Sequence, residues 1–260
     1  MTGSTDYKTD LAAGDLTNIS DVLYVFINND LTIADQEETF SNSQNEYGFK
    51  TVEVSPGRYF SFASSFKSTN SSVNNNFNFW VVPRSQTTIP DYTIGINSAG
   101  NDEIITAICP TPSPGYFLTG SHTNGGSTQI YAGFVFEDGG ELKKGSLEQI
   151  IDIPAYAGND ITPVATCQSN FGESGFLILA NAGSSGFRDI WLIKTIVDTD
   201  LSMQVLWSTR FGAGERNDDT GGAVAELPDG RIMALGTVNL GSNNFRMALF
   251  KLNSEGKLSK

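Results

Sequence analysis

Residues 217–236, NDDTGGAVAELPDGRIMALG, spell out a hairpin in one line of sequence. An apolar run from Gly221 to Leu227 is followed by the turn Pro228-Asp229-Gly230 and a second run from Arg231 to Gly236. Runs this short on either side of Pro-Asp-Gly read as strands, because Pro fixes φ at one turn position and Gly admits positive φ at a later one. The pair that opens the stretch, Asn217-Asp218, has counterparts. An Asn followed by an acidic residue also stands at Asn45-Glu46, Asn101-Asp102 and Asn159-Asp160, which gives intervals of 56, 58 and 58 residues. A fixed period of this size marks one supersecondary unit copied several times.

A second marker keeps the same phase. An aromatic and aliphatic strand recurs at Leu23-Tyr24-Val25-Phe26, Phe79-Trp80-Val81-Val82, Phe134-Val135-Phe136, Ile190-Trp191-Leu192-Ile193 and Met247-Ala248-Leu249-Phe250. The last two share the lead-ins Phe187-Arg188 and Phe245-Arg246. A further turn, such as Asp138-Gly139-Gly140 or Asn253-Ser254-Glu255-Gly256, then leads to a weaker fourth run such as Ser202 to Phe211. Four antiparallel strands in a unit somewhat longer than the common blades of about 40 to 50 residues predict an all-β protein, a β-propeller of four to five blades. Leu142 to Ile151 would tolerate a helix, yet its place in the repeat is that of a fourth strand, and the repeat outranks local propensity. The polar residues 1–20 read as a flexible lead-in and residues 21–260 as a single propeller domain. The half unit Ser20 to Phe40 is expected to complete a blade begun at the C-terminal end, since an open ring would leave sheet edges exposed.

Composition narrows the function classes. Sixteen Lys and Arg stand against 29 Asp and Glu, a net charge of −13 with a pI near 4.4. Phosphate recognition needs clustered basic residues, so a nucleic-acid role is disfavoured, as is an anionic membrane surface. No window reaches the roughly 18 apolar residues of a membrane span. A sequence rich in Asn, Ser, Thr and Gly with little Lys is that of an extracellular β protein, and export is expected although no signal segment is present in the chain.

Few residues suggest chemistry. Cys109 and Cys167 each lie ten residues beyond an Ala-Gly pair (Ala99-Gly100 and Ala157-Gly158), at the same place in adjacent repeats. They read as small buried hydrophobes, with a disulfide as the alternative; neither has a companion at metal-ligand spacing. The single histidine, His122, reads as part of a polar loop with no nucleophile motif around it. The acidic members of the Asn-acid pairs, Glu46, Asp102, Asp160 and Asp218, would fall on one rim of a propeller channel, where they could hold Ca²⁺ or a ligand. The competing reading makes them turn builders whose side chains bond backbone amides where a strand begins. Glu103 and Asp219 extend two of these pairs and are the nearest approach to a broken symmetry. Arg188 and Arg246, one repeat position seen twice, read as structural. Trp207, without a counterpart in the other units, is a candidate stacking surface.

The order Phe187 to Lys194, then Trp207-Ser208-Thr209-Arg210-Phe211-Gly212, then Leu227-Pro228-Asp229-Gly230-Arg231-Ile232 and Gly236-Thr237 resembles the exported propeller-type repeats of bacterial surface lipoproteins. The resemblance covers about residues 187–260 and weakens toward the N-terminus. It implies a β-propeller, export and a lipid anchor at the outer membrane. It implies no reaction, because such folds host many functions.

Two functions stand at this stage. One is a non-catalytic, monomeric binding or scaffold propeller at the cell surface, recognising protein or glycan through the long loops Lys67 to Asn76, His122 to Gln129, Gly183 to Gly186 and Gly241 to Asn244. The alternative is a glycoside hydrolase or lyase using acidic channel residues, with Ca²⁺ assistance. A clustered, pKa-shifted carboxylate pair would favour the enzyme, and evenly spread carboxylates would favour binding.

Overall fold

The computed structural model describes residues 2–7, 19–27, 32–39, 46–55, 58–68, 75–83, 102–138, 141–153, 156, 160–184, 186–198, 202–212, 217–242 and 244–259. The fold is all-β: seventeen strands and no helix among the described residues, arranged in five antiparallel sheets whose sequential neighbours pair as up-and-down meanders. The sheets have the meander form expected of propeller blades, and they divide into two compact units, Met1–Ile105 and Thr106–Lys260.

The first unit holds two three-stranded sheets, β1 (Thr2–Tyr7), β2 (Ile19–Ile27) and β3 (Ile33–Thr39), and β4 (Glu46–Ser55), β5 (Arg58–Ser68) and β6 (Asn75–Pro83). The expected coil over residues 1–20 contains a strand instead. Thr2 to Tyr7 pair with Tyr24 to Ile19, which satisfies the backbone groups along one side of β2. Residues 8–18 lie outside the described residues.

The second unit continues with a four-stranded sheet whose first strand crosses the unit boundary: β7 (Asp102–Pro110), β8 (Gly115–Asn124), β9 (Ser127–Asp138) and β10 (Glu141–Ile151). A second four-stranded sheet follows, β11 (Ile161–Ser169), β12 (Gly175–Ala182), β13 (Asp189–Val197) and β14 (Met203–Phe211), and then a three-stranded one, β15 (Thr220–Glu226), β16 (Ile232–Asn239) and β17 (Phe245–Leu252). The two runs flanking Pro228-Asp229-Gly230 are β15 and β16, and the ambiguous segment Leu142 to Ile151 is a strand paired along β9.

Alternation along each strand sends side chains to both faces, and both faces of the middle sheet are buried. On one, Phe176, Ile178, Trp191 and Ile193 meet Phe117, Ile130 and Phe134 of the β7–β10 sheet, with Phe117 and Phe176 stacked at 3.9 Å between centroids. On the other, Leu177, Leu179, Ile190 and Leu192 meet Ile232, Ala234 and Leu252 of the β15–β17 sheet. Hence β12 reads as an almost unbroken apolar run, as a strand covered on both sides should. The repeat extends to irregularities: register shifts in β4, β11 and β15 skip Phe49, Val164 and Gly222, the last two 58 residues apart. Bonds between neighbouring sheets keep the same spacing, from Thr106 Oγ1 to the Pro163 carbonyl (2.5 Å) and from Ser169 Oγ to Glu226 Oε1 (2.5 Å), each across 57 residues.

Candidate functional site

The junction between the β11–β14 and β15–β17 sheets is closed by the residues that lead into β15. Asp219 donates its backbone N–H to the carbonyl of Arg188, just before β13, at 2.8 Å. Arg188 reciprocates: its backbone N–H reaches Asp218 Oδ1 at 3.2 Å, its Nε the same oxygen at 2.8 Å, and its Nη2 reaches Oδ2 at 2.7 Å. This two-pronged, charge-assisted contact matches the planar guanidinium to a carboxylate. The side-chain bonds from Arg188 hold the Asp218 carboxyl below its ordinary value and raise the guanidinium in turn. Asp219 is fully buried and accepts the N–H of Asn239, at the end of β16, at 2.7 Å. Beside it Asp189 pairs with Arg210 at 2.8 Å. Gly212 follows β14 past both carboxylates: a Cβ there would lie 2.5 Å from Asp189 Oδ1 and 2.9 Å from Asp219 Oδ2. The Phe211-Gly212 step of the repeat therefore combines a core aromatic with the one residue that fits this passage.

The junction between the β7–β10 and β11–β14 sheets uses the same parts with one replaced. Asp160 forms a parallel bridge with Thr128 at the start of β9, so a threonine takes the place Arg188 holds one sheet later. The Asp160 carbonyl accepts Gly183 N–H and the Tyr156 hydroxyl, both at 2.8 Å, while the residue itself is exposed. Here a cleft of about 310 Å³ opens, lined by Thr128, Asp160, Thr162, Asn181, Ser184 and Arg188. Asn181 is oriented, because its Oδ1 accepts Gly221 N–H at 2.7 Å, and the Thr128 hydroxyl lies 3.2 Å from that of Thr123. The cleft collects hydroxyls, an amide, a carboxylate and one side of a guanidinium.

At the opposite ends of the same strands a second, apolar groove of about 340 Å³ runs between the two sheets. Phe134, Phe136, Phe176, Val197 and Pro112 line it, with Gln168 as a polar contact. Phe134 and Phe136 lie parallel at 6.3 Å, and Phe136 is 40% exposed.

Of the four predicted rim carboxylates, Asp160 and Asp218 belong to these junctions, one open and one clamped. Glu46 and Asp102 open β4 and β7, and their side chains lie outside the described residues. Among the described residues no three His, Cys, Asp or Glu side chains gather as a metal site. Glu103 and Asp219 are buried. Trp207 is half-buried against the Leu177, Leu179 and Leu192 cluster, and Gly256 of the last turn lies so close to its six-membered ring that a side chain there would clash. The indole is partly covered by this packing. His122 lies within β8, buried, where desolvation lowers its pKa; it is not a loop residue. Cys109 and Cys167 are free thiols placed in successive sheet interfaces, and burial pushes the Cys167 thiol up to about 11, so it stays protonated. Asn181 escaped the sequence reading, and Thr128 entered it only as part of the His122 to Gln129 loop. The signal that could have found them is the Thr-for-Arg difference between the lead-ins of two aligned strands.

No protein-family profile and no curated protein matches the chain. Among solved structures, the β-propeller domain of Nup133 from Vanderwaltozyma polyspora is similar, at 12% identity and a TM-score of 0.45, covering 92% of this chain and 68% of that one. Among the described residues no helix is long and apolar enough to cross a membrane.

Proposed function

We propose that the chain is a non-catalytic binding module that takes a neutral glycan in the cleft at the Asp160–Thr128 junction. The observation that carries the reading is the break in the repeat: the lead-in carboxylate is clamped by Arg188 at one junction and exposed over an open polar cleft at the other. Vicinal sugar hydroxyls pair well with planar carboxylate and amide groups, which Asp160 and Asn181 present together, with the Thr162 and Ser184 hydroxyls beside them. A net charge of −13 and the exposed Asp160 carboxylate favour neutral or amino sugars over uronates.

Binding is favoured over hydrolysis by the state of the acids. Asp218 is driven toward the ionised form by Arg188, the opposite of what a general acid needs. The Asn-, Ser-, Thr- and Gly-rich composition supports a place outside the cell, and the resemblance of residues 187–260 to surface-lipoprotein repeats adds a lipid anchor to that reading. A glycan array carrying neutral, amino and acidic oligosaccharides tests the reading. Signal on neutral or amino glycans that Asn181→Ala and Asp160→Ala both abolish is expected; an array without signal, or signal confined to acidic glycans, rejects it.

A second reading rests on the apolar groove. Phe136, exposed beside Phe134, gives a ledge suited to an apolar side chain of a protein partner. Phe136→Ser abolishing pull-down of such a partner, with glycan binding intact, would separate the two.

A further inference from the structure

The bonds around the open cleft sort its side chains into donors and acceptors. Asn181 commits its Oδ1 to the Gly221 N–H at 2.7 Å, so the part of its amide left for a ligand is the Nδ2 donor pair. Arg188 commits Nε and Nη2 to Asp218, and what its guanidinium can still offer the cleft is the N–H donors of Nη1. The acceptor is Asp160. Its backbone is engaged through Thr128, Gly183 and Tyr156, while its carboxylate makes no hydrogen bond or ion pair among the described residues and belongs to an exposed residue.

A ligand group that suits all three must accept from Asn181 and Arg188 and donate to Asp160. A carboxylate only accepts: it meets the two donors and sets a like charge against Asp160. An ammonium only donates: it meets Asp160 and leaves the Asn181 and Arg188 donors unmatched. A secondary amide carries an acceptor C=O and a donor N–H in one plane with no net charge, and so matches both. A plain diol can also bind, yet each hydroxyl is donor and acceptor alike and gains nothing from the sorting. Thr128 and Thr162 bring methyl groups as well as hydroxyls to the lining, which suits a small apolar substituent. We propose that the cleft is selective for N-acetylated amino sugars, with the acetamido C=O accepting from Asn181 and Arg188 and its N–H donating to Asp160. This selectivity rests on the glycan reading above and names the group that decides between sugars.

Ligand-observed NMR titration with methyl hexopyranosides bearing a hydroxyl, an amine or an acetamide at C2, each in the gluco, galacto and manno series, reads the preference directly. At least one acetamido glycoside should bind about tenfold tighter than its hydroxy and amino counterparts, the weight of one hydrogen bond left unmade. Asn181→Asp keeps an oxygen for the Gly221 N–H and removes the donors. It should lower acetamide binding to the level of the hydroxy sugar or below, with circular dichroism like that of the parent. Equal binding of hydroxy and acetamido sugars, a preference for the amine, or a preference that survives Asn181→Asp overturns the selectivity and leaves the glycan reading standing. If none of these sugars binds, the selectivity falls, and the oligosaccharide array decides the glycan reading separately.

Discussion

Where the β11–β14 sheet meets β15–β17, an arginine before β13 grips the leading aspartate of the next sheet. Where the β7–β10 sheet meets β11–β14, a threonine before the corresponding strand leaves that aspartate exposed. The backbone construction is shared, down to the bulge one turn into the first strand. The difference of one side chain separates a structural clamp from a polar cleft. A repeat gives each junction the same scaffold, and function enters where one copy departs from it.

The strongest way to break the comparison is to remove what both junctions share, the apolar filling. Phe176→Ala deletes the ring stacked on Phe117 and should cost about 3–5 kcal/mol in urea unfolding. Gly212→Ala acts on the clamped junction alone. Its Cβ would press on Asp189 and Asp219, so a loss of about 1–3 kcal/mol is expected with glycan binding retained, which thermal unfolding and the array check together.

Arg188→Ala removes the grip on Asp218 and should cost about 1–2 kcal/mol at neutral pH, reduced from a buried pair because both side chains are partly solvated. The sign with pH follows from the lowered Asp218 value. A depressed carboxyl contributes stability above its unfolded pKa, near the ordinary 3.8, and loses it as pH falls through the folded value. The gap between parent and variant should therefore hold from pH 7 to about pH 4 and narrow below that in acid unfolding. A gap that widens in acid would contradict the clamp.

Much of the fold was legible in the sequence, because spacing survives where individual residues do not. The Asn-acid pairs and the aromatic strands placed β7 to β17, and Pro228-Asp229-Gly230 placed its hairpin. Residues 2–7 were misread since Thr-Gly-Ser-Thr-Asp-Tyr has no apolar alternation; its strand exists by pairing to β2. The site was legible only in part. Asp160 and Asp218 were found as a repeated position, but repetition cannot say that Arg188 neutralises one and not the other. That depends on which strand start the lead-in lies beside. Trp207 lacked a counterpart in the sequence, and its partial cover by Gly256, in a turn 49 residues later, is a tertiary contact with no local sign.

The smallest change in stability should accompany the most direct test. Thr128→Arg rebuilds at the open junction the residue that closes the other, within reach of Asp160. It should cost about 0.5–1 kcal/mol in unfolding, for the Thr123 hydroxyl contact it gives up. Calorimetric titration of this variant with the neutral oligosaccharide that binds the parent best on the array tests the account. Loss of binding in Thr128→Arg, with Gly212→Ala still binding, is predicted. Undiminished binding by Thr128→Arg would show that the open junction is not the ligand site.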